Sequence, residues 1–502
     1  MAKKSNYKSL YNIYRDGYRR FKGYKYSKKP IYDTLHKELT SDRTRILYSA
    51  AFRRLQQKAQ VFSMETNSNV RSRLTHSLEV SDLGRRLSNA ITTKLRAIKH
   101  ISTNEMPVVA EIVENACLMH DIGNPPFGHF GESAIQDWAK HIAMEVTPAD
   151  WTTLDANGDR VWVAPLSDLM MDFEEFDGNP QGFRTVTRLL DKNGLCLTAS
   201  SLMCALKYAR TTGEPDDKGI RKKAGWFRTE QNLVERLHNE CGRTMGTRYP
   251  LTYIMEAADD ISYCMSDIAD SIEKRIITEE EFILSFCDHW EKLNDKKQKA
   301  GLARMALPVE ITNFYTGKSW TKKKLRGFNR DFAIDWAKRA TASVADIYIA
   351  HESDILNGVA APLTSNDCEM TRVLETIGDV CVEMIYPSLE AECIELTGYA
   401  VISGIIRHYE RVLMLTHANF ELARGKGRRK FPVEARLFNR LSGDCVYAYD
   451  AAVKALDPAD PDFDKKEWWL RVHLIIDHIS SMTDAYALET YQMLEGIALM
   501  RT

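Results

Sequence analysis

At 502 residues, 44% of them hydrophobic, the chain has ample material for a large buried core and exceeds a typical single domain. Lys+Arg total 68 against Asp+Glu 69, so no global charge marks it for nucleic acid or a membrane. No run approaches about 18 apolar residues, and Met1-Ala2-Lys3-Lys4 opens no apolar leader, which points to a cytoplasmic protein without a membrane partner. Ten cysteines lie scattered from Cys117 to Cys445 with no Cys-x-x-Cys pair; they argue against a zinc knot or a disulfide framework and read as small core residues.

The chain opens on a basic, aromatic arm, residues 1–40. Lys3, Lys4, Lys8, Arg15, Arg19, Arg20, Lys22, Lys25, Lys28 and Lys29 alternate with Tyr7, Tyr11, Tyr14, Tyr18, Tyr24 and Tyr26, opposed within the first thirty residues only by Asp16. Interleaved cations and aromatic faces suit single-stranded nucleic acid. Charge runs more often belong to an arm packed on the body or on a neighbouring subunit, with its lysines in solvent.

From residue 41 onward the period is helical. Residues 75–98 carry Leu78, Leu83, Leu87, Ile91 and Leu95 near the helical repeat, and a second helix over 108–122 delivers the doublet His120-Asp121. The turn Asp155-Ala156-Asn157-Gly158-Asp159, flanked by short β-prone runs, predicts one hairpin within 146–167. A calcium loop is a poor fit there, because the glycine falls too early and no glutamate closes the loop. Residues 250–275 form an amphipathic helix with the stripe Leu251, Ile254, Ala258, Ile261, Met265, Ile268, Ile272, and Asp259, Tyr263 and Asp267 recur on an adjacent face. Thr278 with Glu281 is a capping box, and 401–415 is again helical. No repeat or linker divides the chain. The expectation is an all-α fold of one domain, 41–502, with a helical core over about 41–280 and a helical C-terminal part over about 281–502.

His120-Asp121 is the most informative pair. It sets an imidazole beside a carboxylate at a helix end, before Gly123 and the prolines Pro125 and Pro126 that turn the chain. His76 supplies a further imidazole on an earlier helix, and Asp259-Asp260 puts carboxylates in an otherwise apolar one. Two histidines and two aspartates make a mixed nitrogen and oxygen set suited to Mn²⁺, Fe²⁺, Mg²⁺ or Zn²⁺. Periodicity leaves the choice between Asp259 and Asp260 open.

His76, His120-Asp121 and an aspartate at 259, in that order, match the H…HD…D signature of the HD superfamily of metal-dependent phosphohydrolases. The longer motifs are narrower: Arg53 to Phe62, Arg73-Leu-Thr-His-Ser77, Met119 to Glu132 and Met255 to Tyr263 resemble bacterial dGTP triphosphohydrolases. Leu206-Lys-Tyr208, Gly398 to Gly404 and Phe431 to Phe438 extend the similarity over nearly all the chain after residue 41. The family cleaves a deoxynucleoside triphosphate into deoxynucleoside and intact triphosphate.

The resemblance implies that His76, His120, Asp121 and Asp259 hold a divalent metal, Mg²⁺ or Mn²⁺. It implies His129 as the general acid on the departing 5′ oxygen, with Glu132 orienting it. Arg73, Lys207 and Lys223, with Tyr208, match phosphate-contacting positions. Gln60 and Asp267 match residues that bind the sugar 3′ hydroxyl, and Tyr263 would pack under the ring and exclude a 2′ hydroxyl. The partners implied are dGTP and further copies in a homo-oligomer (tetramer or hexamer); independently of the resemblance, the basic arm and Arg424-Gly-Lys-Gly-Arg-Arg-Lys430 are contact candidates for single-stranded DNA as an effector.

One departure stands out: Phe176-Asp-Gly-Asn-Pro-Gln181 shortens a family glutamate to Asp177 and introduces Pro180. Two other readings share the four ligands. An HD phosphodiesterase acting on another nucleotide would release monophosphate or pyrophosphate, and a nucleotide- or nucleic-acid-binding regulator would keep the fold without turnover.

Overall fold

Ser72 starts the first long helix, α1 (Arg73–Ala97): its hydroxyl accepts from Thr75 N and the Thr75 hydroxyl accepts from Ser72 N, a reciprocal cap that fixes where the helix begins. The computed structural model containing it describes residues 7–15, 32–65, 67–190, 192–216, 219–315 and 328–498. On α1, Leu83, Leu87, Ile91 and Leu95 are buried, each contributing about 1.5–3 kcal/mol of transfer free energy. Leu78 departs from the expectation and is 47% exposed; five residues before Leu83 it falls out of phase, and Val80 takes the inward position.

Helix α2 (Glu105–Met119) packs along α1. Gly84 permits this approach, since a Cβ there would lie 2.7 Å from Cys117 Sγ. The helix begins and ends three residues earlier than the expected 108–122, stopping at Met119, so His120 and Asp121 sit in the turn that follows. That turn runs through Pro125 and Pro126 into α3 (Gly128–Asp137). The hairpin forms as expected from β1 (Thr152–Leu154) and β2 (Arg160–Trp162), antiparallel with Thr152 opposite Trp162; a third extended segment, Lys192–Leu195, had no clear sequence signal.

Helix α4 (Gly178–Arg188) is capped by Asp177, whose carboxylate accepts from Asn179 N at 2.9 Å, and Pro180 occupies its first turn, where a missing N–H costs nothing. The departure at 177–180 therefore makes a good helix start. Helix α5 (Thr252–Glu273) buries its predicted stripe from Leu251 to Ile268, with Ile272 half-buried. The Thr278–Glu281 box caps Glu279–Lys299 as expected, and the helix foreseen at 401–415 is the end of the longer α6 (Leu389–Leu413). Helices α7 (Phe463–Ser480) and α8 (Asp484–Leu494) close the described chain. The fold is all-α.

The buried side chains fall into two hydrophobic clusters. The first gathers α1, α2, α5 and the helices Tyr32–Leu47, Glu279–Lys299, Phe328–Ala350 and Glu369–Val380. The second gathers α3, the hairpin, α6, α7 and the helix Gly443–Lys454. Ile122 belongs to the first and Phe127 to the second, so the five-residue step between them crosses from one to the other.

The described part of the arm, residues 7–15, packs on the body. Tyr7, Leu10 and Tyr11 are buried, and Arg15 pairs with Glu38 and with Asp42. Residues 32–40 begin the helix Tyr32–Leu47, and the arm's cations and tyrosines between positions 16 and 31, with Lys3 and Lys4, lie outside the described residues. All ten cysteines are free thiols and six of them are buried. Among the described residues no helix is long and apolar enough to cross a membrane.

Candidate metal centre and active site

Three elements of the first cluster bring the doublet's partners to it. His76 lies in the first turn of α1, wholly buried, and Asp259 lies on α5 beside the inward stripe. The ligand atoms of His76, His120 and Asp121 all fall within 4.8 Å of one another. Asp259 Oδ1 stands 3.3 Å from His120 Nε2 and 3.6 Å from His76 Nε2. Asp260, which periodicity could not separate from Asp259, turns away and accepts from Thr364 Oγ1 at 2.7 Å.

Among the described residues, His76 Nε2, His120 Nε2 and Asp121 Oδ2 are buried and have no hydrogen-bond partner. Leaving such groups unsatisfied costs about 1–3 kcal/mol each, so three together at one point call for a ligand. A divalent cation fits this donor set. The other atoms of the doublet are already held: His120 Nδ1 meets the Cys117 carbonyl at 2.7 Å, and Asp121 Oδ1 accepts from Arg73 at 2.7 Å and from Asn124 Nδ2 at 2.5 Å. Such outer contacts fix ring tautomer and carboxylate orientation. Burial opposes charging His120, but Asp121 and Asp259 push its pKa up to about 9; burial likewise works against Asp259, yet Lys207 and the histidines hold it well below the usual carboxylate range. The cluster thus carries enough negative charge to retain a proton where a metal is not bound.

Two glycines permit the turn. Gly123 lies against α4, where a Cβ would meet Gly178 O at 2.1 Å, and Gly128 adopts φ +55° with the Arg73 guanidinium 3.0 Å from where its Cβ would be. Immediately after, His129 presents a side chain that is 78% exposed. Its Nδ1 is 2.7 Å from Glu132 Oε2, and the buried Glu132 is fixed by Gly178 N, which donates to Oε1 at 2.7 Å. The hydrogen bond to Glu132 raises the His129 pKa, against the repulsion of Lys223 and Arg73. Those two cations are therefore close enough to act on it.

The cations each rest on a carboxylate: Arg73 on Asp121, Lys207 on Asp259 at 2.9 Å, and Lys223 on Asp177 at 2.5 Å. Tyr208 is buried beside Lys207, which follows from their adjacency in sequence. Farther along α5, Tyr263 stands edge-on to His76 with ring centroids 6.5 Å apart. Gln60 Oε1 and Asp267 Oδ1 are both buried and without a partner among the described residues, which fits a ligand hydroxyl. Burial pushes the Asp267 carboxyl up to about 7.

Two neighbours escaped sequence reasoning. Tyr386 donates to Asp267 Oδ2 at 2.9 Å and its hydroxyl is 3.4 Å from that of Tyr263; it arrives from a turn 119 residues away, with no spacing to announce it. Asn124 was legible only as a turn residue, although its offset of three from Asp121 suits a side chain folding back. Arg424, foreseen within a nucleic-acid contact, is instead engaged with Glu421 and Asp450 over the rings of Phe420, Phe438 and Tyr449; Lys426, Arg428, Arg429 and Lys430 are exposed.

Residues 73–148 match the family model of the HD domain. The chain is 36% identical over 489 residues to the deoxyguanosinetriphosphate triphosphohydrolase of Cronobacter sakazakii (strain ATCC BAA-894), covering 91% of this chain and 93% of that protein. It belongs to the deoxyguanosinetriphosphate triphosphohydrolase family. The protein of that name from Enterobacter sp. (strain 638) is equally similar, 36% over 489 residues with the same coverage. Membership in the family, with its HD domain, makes the chain a metal-dependent nucleotide triphosphohydrolase. The matched HD segment holds His76, His120, Asp121, His129 and Glu132, whereas Asp259 and the sugar-side residues lie beyond it.

Proposed function

We propose that the protein hydrolyses dGTP to deoxyguanosine and inorganic triphosphate by water attack at the α-phosphorus. The observation that carries this reading is the run along α5 at four-residue spacing: Asp259 beside the orphaned histidine donors, then Tyr263, then Asp267, whose buried Oδ1, like Gln60 Oε1, has no partner among the described residues. This spacing supports a phosphate site and a sugar site side by side along one helix.

His76, His120, Asp121 and Asp259 hold Mg²⁺ or Mn²⁺. A divalent ion held by these four side chains would supply Lewis-acid polarisation of the phosphate and make water a better nucleophile. Arg73, Lys207 and Lys223 exchange their carboxylate partners for phosphate oxygens, with the Tyr208 hydroxyl beside them. His129, kept cationic by Glu132, gives its proton to the departing 5′ oxygen. Asp267 accepts from the sugar 3′ hydroxyl while Gln60 offers its amide, and Tyr263 fills the space a 2′ hydroxyl would need. Residues 41–502 act as one catalytic domain of a cytoplasmic homo-oligomer, tetramer or hexamer, with single-stranded DNA as an effector at the exposed cations of 426–430.

The test is to incubate the protein with dGTP and Mg²⁺ or Mn²⁺ and separate the products. Deoxyguanosine with triphosphate is expected; dGMP with pyrophosphate would assign a different phosphohydrolase reaction, and no turnover of any dNTP would favour a binding protein.

A further inference from the structure

The four proposed ligands stand on elements of the first hydrophobic cluster, while His129 and Glu132 stand on α3, in the second. Their relative placement depends on the step from Ile122 to Phe127. Two buried charged side chains, neither given a role above, grip that step.

Lys58, 3% exposed, donates through Nζ to the Asn124 carbonyl at 2.5 Å and to the Ser480 carbonyl at 2.7 Å. Ser480 is the last residue of α7, so the ammonium satisfies a terminal carbonyl at the negative end of the helix. Asp484, also 3% exposed, lies in the first turn of α8 and accepts from Phe127 N at 3.1 Å and Ala59 N at 3.0 Å. The backbone around Lys58 is tied in turn to the ligand helix: the Lys58 carbonyl accepts from Arg73 N at 2.9 Å, three residues before His76. Both charges face the junction, where burial pushes the Lys58 ammonium down to about 7, with Asp484 acting in the opposite sense.

We propose that Lys58 and Asp484 form a clasp that sets the metal-binding cluster and the His129–Glu132 pair at their working separation, making both positioning residues for the hydrolysis. The clasp ties together four segments: the one leading to Gln60, the start of α1, the turn after Asp121, and the junction between α7 and α8. This inference rests on the reaction proposed above. Its physical reason is that two carbonyls and two amides are satisfied inside the protein by two buried side chains, so altering either frees Asn124 or Phe127 to move. A misplacement of about 1 Å between reacting groups costs on the order of 10²-fold in rate.

The test compares Lys58→Met and Asp484→Asn with Asp42→Asn, which weakens the remote buried pair with Arg15. Melting temperature, Mn²⁺ affinity by electron paramagnetic resonance, kcat and KM for dGTP, and hydrogen exchange of the peptide over 118–132 are measured on each full-length chain. We expect both clasp variants to lose at least about tenfold in kcat with KM within about threefold, to keep Mn²⁺ affinity within about tenfold, and to exchange faster over 118–132. Asp42→Asn should do none of this at an equal loss of melting temperature. If Lys58→Met does not fold, the milder Asp484→Asn decides. Equal exchange and equal kcat in clasp and reference variants would overturn the proposal. If the wild type releases no triphosphate, the reading of the reaction fails, while the exchange comparison still decides whether the clasp holds the turn.

Discussion

The 3′ hydroxyl of the sugar provides a quantitative check on the face formed by Gln60 and Asp267. With dideoxy-GTP in place of dGTP, one hydrogen bond to a carboxylate is lost, worth about 1.5–3 kcal/mol, and the buried amide of Gln60 is left unsatisfied at a further cost of about 1–3 kcal/mol. The total, about 3–6 kcal/mol at 1.36 kcal/mol per tenfold, predicts a kcat/KM about 10²–10⁴ lower for dideoxy-GTP. The assay is triphosphate release at pH 8, where Asp267, with its pKa raised to about 7 by burial, is ionised. At pH 6 the carboxyl is mostly protonated and the preference should narrow. Asp267→Asn should narrow it by about tenfold at pH 8 by removing the charge from the acceptor while retaining its shape. Turnover of the two nucleotides within threefold of each other in the wild type would refute this use of Gln60 and Asp267.

His76→Ala removes one of four donors and should weaken Mn²⁺ binding by at least about tenfold in a calorimetric titration; unchanged affinity would remove His76 from the ligand set. Glu132→Gln withdraws the hydrogen bond that raises the His129 pKa, so the alkaline limb of the kcat profile should move to lower pH, and a limb that stays in place would dissociate His129 from proton donation. Asp267 also carries a stability signature. Its folded carboxyl, facing Tyr263, Tyr386, Asp270 and Arg71, keeps its proton to higher pH than an unfolded one, so wild-type stability falls as pH rises from about 4 through about 7, by up to about 4 kcal/mol. Asp267→Asn should therefore gain in melting temperature relative to wild type at pH 8 but not at pH 4, and equal differences at both would contradict a raised pKa. Tyr263→Ala should bring GTP and dGTP turnover closer together, which parallel assays of the two nucleotides read directly.

Local signals carried much of this architecture. Stripes at helical period placed α5 and most of α1 correctly because each element buries one continuous face, and the capping box at Thr278 marked a boundary through two hydrogen bonds that any such pair makes. The error at Leu78 has the same origin: one apolar side chain out of phase looks like its neighbours until packing shows Val80 inside. Within the site, His76 and the doublet were readable because imidazoles and carboxylates at apolar helix ends need a reason to be there. The choice of Asp259 over Asp260 was not readable from period alone; it depends on which carboxylate the packing of α5 turns toward His120. Tyr386, Lys58 and Asp484 had no local signal because their meaning lies in contacts across 66 to 425 residues. The substitution at Asp177 and Pro180 looked like a defect and is a competent helix start, with Asp177 also meeting Lys223.

The central claim is attack of water on the α-phosphorus of dGTP, and hydrolysis in ¹⁸O-labelled water tests it most directly. Mass spectrometry of the products after a single turnover should find one ¹⁸O in the triphosphate and none in deoxyguanosine. Label in the nucleoside would mean cleavage of the carbon–oxygen bond instead, and label in dGMP or pyrophosphate would mean attack at a different linkage; either result would contradict the account.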